Sequence, residues 1–160
     1  MGVNVFFSFI LVFFLPANVT REVDKGEFYK VFSSTSQERI DGMISMLDQE
    51  KTSSLVLAYQ GALYMKKAGF IKGAGAKVKT FKKGAHLLEE EIKKNPSNAE
   101  YRFLRLSIQE HAPGVLHYNK NLEEDKSAVI NGFAKFNTNL KTVVAAYAKD
   151  SKVLKESDFH

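Results

Sequence analysis

The chain has 160 residues, 44% of them apolar, and 23 Lys and Arg against 18 Asp and Glu give it a formal charge of +5. That length suits one domain able to bury a core without covalent staples. With no cysteine at all, a disulfide framework, a thiol nucleophile, a thiolate metal site and a cysteine-borne lipid are excluded.

Val3 to Leu15 is apolar apart from Asn4 and Ser8, and is followed by Pro16 and Ala17. A membrane-spanning helix needs about 20 apolar residues, so this shorter block reads as a cleavable signal peptide over 1–17. No Lys or Arg precedes it, and the amino terminus alone supplies positive charge; a retained anchor or a buried helix is the alternative. Cleavage would remove no charged side chain. The expectation is an exported protein, periplasmic or extracellular, that meets a membrane only through an uncleaved leader. Asn18-Val19-Thr20 matches a glycosylation acceptor. Residues 18–34 read as a linker or short leading helix, with Val23, Phe28 and Val31 as its apolar positions.

Thr35 and Glu38 have capping-box spacing and open a helix over 36–50, with Ile40, Met43, Ile44 and Leu47 on one face. A second helix covers 54–68, where Ala58, Gly61 and Ala62 permit close approach by a neighbour, and Gly69 suits its C-terminus. After a glycine-rich connection, 69–76, a third helix over 77–94 carries Val78, Phe81, Ala85, Leu88 and Ile92 to one side and stops at Asn95-Pro96. Ser97 and Glu100 form a second capping box. The helix they open runs to Ala112, and its apolar residues lie on more than one face, as expected of a central helix. Val129, Phe133, Phe136, Leu140, Val143 and Tyr147 alternate steps of four and three, the pattern of one long helix over 122–149. Residues 151–160 read as a flexible tail. The sequence therefore predicts an all-α fold, an antiparallel bundle of about five helices occupying 35–150.

The stretch Gly84 to Tyr101, ending Asn95-Pro96-Ser97-Asn98-Ala99-Glu100-Tyr101, resembles the joint between two tetratricopeptide repeats, and Leu57, Gly61 and Tyr64 have the spacing of that family's first helix. The connection after Gly69 is longer than the family's period allows, by about eleven residues. The resemblance covers residues 55–112 and implies repeat-like helical hairpins with a concave face for a partner. Ala58 to Ala62, Tyr101 to Glu110 and Ala112-Pro113 are also similar to a set of small exported bacterial proteins of unknown function, which implies a helical, exported protein and no particular activity.

Lys51 to Leu88 holds eight Lys and no Asp or Glu. Lys66, Lys67, Lys82 and Lys83 are candidate binding residues for an acidic protein or an anionic envelope component; a solvated basic face is the alternative. Gly69, Gly73, Gly75 and Lys77 lack the spacing and the preceding strand of a phosphate loop. Arg102, Arg105 and Gln109 form a polar stripe that could clamp a carboxylate or phosphate, or could pair with Glu100, Glu110 or helix carbonyls to hold the bundle. His86, His111 and His117 lack metal-ligand spacing, and His111 reads as a satisfied core histidine. No nucleophile elbow and no nucleic-acid-binding motif is present. No catalytic residue, metal or cofactor is assigned. The sequence reads as a non-enzymatic exported scaffold for protein interaction, with a carrier for a small molecule or lipid in the bundle interior as the alternative.

Overall fold

The computed structural model describes residues 23–159, and within them the fold is all-α. Seven α-helices are present rather than about five: α1 Lys25–Phe32, α2 Gln37–Leu47, α3 Ser54–Lys67, α4 Ala74–Lys94, α5 Ala99–His111, α6 Leu122–Gly132 and α7 Thr138–Asp150. The leader 1–17 and the acceptor at Asn18 lie outside the described residues. No described helix is long and apolar enough to cross a membrane.

Five helices begin at a polar side chain that accepts an otherwise orphaned amide of the first turn: Asp24, Ser36, Ser53, Asn98 and Asn137. Two starts therefore fall one residue later than the capping boxes suggest, at Ser36 rather than Thr35 and at Asn98 rather than Ser97. The α4 helix begins at Ala74, not Lys77. Gly73, at φ 87°, makes the turn in backbone geometry that other residues rarely adopt, so the chain re-enters a helix at once.

Residues 122–149 are not one helix. The chain breaks after Gly132, makes a short turn over Phe133–Lys135, and restarts where the Asn137 side chain accepts from Leu140 N. A Cβ at Gly132 would collide with that of Ala99, so the break lies where α6 meets the start of α5. The segment expected to be a loose tail is packed: Leu154 is fully buried, and Phe159 stacks on Phe133 at 4.3 Å between centroids.

The α3 and α4 helices form a hairpin at backbone contact. A Cβ on Gly61 would lie 2.8 Å from both Gly84 O and Leu88 N, and one on Gly84 would lie 2.7 Å from Met65 N. Two glycines facing each other let the axes approach closer than side chains permit. Every residue of α5 from Ala99 to Gln109 is buried, which makes it the central helix expected from its apolar faces. Phe28, Tyr59, Leu63, Leu88 and Val129 fill the interior around it.

Candidate functional site

Three polar clusters and one groove stand out. The first cluster is the Arg102, Arg105 and Gln109 stripe. All three converge on Asp125 of α6, which is fully buried: Arg105 donates from Nε to Oδ2 and from Nη2 to Oδ1, both at 2.7 Å, Gln109 donates to Oδ2 at 2.7 Å, and Arg102 donates to Oδ1 at 3.1 Å. Arg102 also donates to Glu124 at 2.7 Å and to the Pro96 carbonyl, and Arg105 to Glu89 at 2.7 Å. Burial pulls the Arg105 guanidinium down, but the bond and charge of Asp125, followed by Glu89, hold it above its ordinary value. The stripe is brought together, as its spacing implies, and its donors are spent on joining α5 to α6. The partners differ from the Glu100 and Glu110 that the sequence offered.

Glu100 instead anchors the second cluster. Its carboxylate accepts from Lys25 at 2.6 Å, from Tyr59 at 2.5 Å and from Tyr29 at 3.2 Å, tying α1 and α3 to α5. Burial, then the Glu100 charge, pushes both tyrosines far above their ordinary value. They stay protonated as donors and are not tuned for proton transfer near neutrality.

Glu110 makes the third cluster. It accepts from Tyr147 and Ser151 hydroxyls and from the Lys152 amide, so it ties the end of α5 to the end of α7. Burial raises this carboxyl, yet the bonds from Tyr147, Lys152 and Ser151 outweigh it and leave the group below its usual range.

The groove has a volume of about 1280 Å³. Its walls come from α1, the end of α3, the start of α4, the second half of α5 and α7. Most of the lining is apolar: Phe32, Met65, Phe81, Phe103, Val143 and Tyr147 are representative. Val115, on the turn that follows α5, stands 82% exposed at its edge, the one large apolar side chain so exposed among the described residues. His111 lines the groove too. It is exposed rather than in the core, with Nδ1 2.9 Å from the Ser107 carbonyl.

The lysines predicted to bind are engaged in different ways. Lys67 lies 2.7 Å from Asp41, Lys83 sits 3.7 Å over the Tyr64 ring, and Lys82 faces solvent on α4. Lys66 alone of the four lines the groove, its ammonium 5.4 Å from the centre of the Phe32 ring. Sequence reasoning missed the groove itself, although Val78, Phe81, Val143 and Tyr147 were read as helix-packing positions. Among the described residues no group of three His, Cys, Asp or Glu is placed to hold a metal ion. Comparison with protein-family models, with curated proteins and with solved structures returned no match.

Proposed function

We propose that the chain is a non-enzymatic binding protein whose groove takes an elongated apolar ligand. The observation that carries this reading is the groove, about 1280 Å³ and walled mainly by apolar side chains. A mainly apolar concavity edged by a limited set of polar groups is the usual form of a ligand site. The seat is the groove rather than the bundle interior, which is filled by its own side chains. The leader-like block over 1–17 supports a place outside the cytoplasm for the mature protein.

One observation favours a second reading, the interaction scaffold. The groove exceeds the roughly 300–1,000 Å³ of most small-molecule sites, and an amphipathic helix of a partner protein could lie in it. Native mass spectrometry of protein recovered from the exported fraction of a host cell separates the two. Binding of an apolar ligand predicts a bound mass of a few hundred daltons, and cleavage predicts a chain beginning at Asn18. A stoichiometric polypeptide in the same spectrum would move the assignment to the scaffold. A bare chain that also fails to take up the neutral probe N-phenyl-1-naphthylamine overturns the ligand reading.

A further inference from the structure

The groove holds both signs of charge, but only some of it is compensated. Its carboxylates are Asp24 and Glu27. Asp24 accepts from the Glu27 amide as the cap of α1, and Glu27 faces Arg39 at 3.4 Å and Lys30 at 3.7 Å. Lys66 is different. Half-buried on the apolar wall, it makes no ion pair and no hydrogen bond among the described residues, and its ammonium lies over the face of Phe32. Desolvation by burial pulls its ammonium below the ordinary lysine value, with no carboxylate to offset it. A lysine stem commonly packs on apolar surface while its head reaches water or an anion. Here the head stays beside the groove. Lys77, exposed at the same edge, adds a second positive charge.

We infer that the ligand is a free long-chain carboxylate, its acid group paired with Lys66 and its hydrocarbon chain laid along the apolar groove. The inference rests on the groove reading above and adds the charge of the ligand's head. Complementarity carries it: an uncompensated cation at one side of an apolar trough matches an amphiphile with one anionic end. A carboxylate at Lys66 makes a charge-assisted bond in a poorly solvated place, where such a bond is stronger than in water.

The test uses the protein as the cell produces it, freed of bound lipid and charged with N-phenyl-1-naphthylamine. Displacement by dodecanoate is compared with displacement by dodecanol, each below its aggregation threshold. The acid should bind about tenfold more tightly than the alcohol, the worth of one such bond. Lys66→Met should abolish that preference, whereas Lys66→Arg, and Lys79→Met outside the groove lining, should keep it. If Lys66→Met fails to fold, Lys66→Gln takes its place and should lose the preference in the same way. Equal affinity of wild type for acid and alcohol overturns the inference but leaves the groove reading standing, as does a preference that survives in Lys66→Met. If neither the neutral probe nor dodecanol binds, the groove reading fails and this inference with it.

Discussion

Asp125 and Glu91 are both buried carboxylates, yet their surroundings predict opposite responses to replacement. Asp125 accepts four donors from Arg102, Arg105 and Gln109. Neutralising it leaves two guanidiniums buried without their shared anion, so Asp125→Asn should cost about 3 kcal/mol or more. Glu91 is 1% exposed, and only Oε1 is used, by Lys94 at 2.7 Å; Oε2 is buried with no partner among the described residues. A buried acceptor left unpaired is already a cost, so Glu91→Leu should change stability by less than about 1 kcal/mol or raise it. Urea-unfolding midpoints of the two variants check both; equal losses would show that the Asp125 network has no special weight. The spacing of Arg102, Arg105 and Gln109 made their common direction legible in the sequence. Their partner was not legible, because Asp125 follows Glu123 and Glu124 and three consecutive acids fan around a helix without marking a face.

Helix identity was the most legible level, since each helix has an apolar face and most have a polar cap. Breaks inside a continuous pattern were less so. Phe133 and Phe136 kept the four-and-three rhythm of a long helix, but they meet each other edge to face at 6.0 Å across the turn. Aromatic positions that suit a helix can suit a corner equally well. The small residues of α3 did signal close approach, and the facing position proves to be Gly84. A methyl group there would enter the backbone of Gly61 and Met65. The gain of about 1 kcal/mol for replacing a helical glycine with alanine is then outweighed by overpacking of about 1–3 kcal/mol against atoms that cannot swing aside. Gly84→Ala should therefore lower the unfolding midpoint. Gly42→Ala in α2, with nothing within 4 Å of the new methyl, should raise it. If both variants gain stability, the α3–α4 contact is looser than described.

At the scale of the whole molecule the groove and the C-terminal tie share residues that lie far apart in the chain, which is why neither was visible as a sequence pattern. Tyr147 lines the groove on α7 and donates to Glu110 of α5, while Ser151 and the Lys152 amide bind the same carboxylate and hold the segment that carries buried Leu154. Glu110 thus links one wall of the groove to the end of the fold. Its folded value lies below the ordinary carboxylate value of 4.5. A group depressed in this way contributes stability at pH above its unfolded value and loses it as pH falls through the folded one. At neutral pH, Glu110→Gln should cost about 1 kcal/mol, a figure held low because the carboxylate is partly exposed. Between roughly pH 5 and 3 the wild type should lose stability faster than the variant, so that the two curves converge. Urea titrations of both proteins across that range provide the measurement. A gap that stays constant down to pH 3 would mean that Glu110 holds the tail by shape rather than by charge.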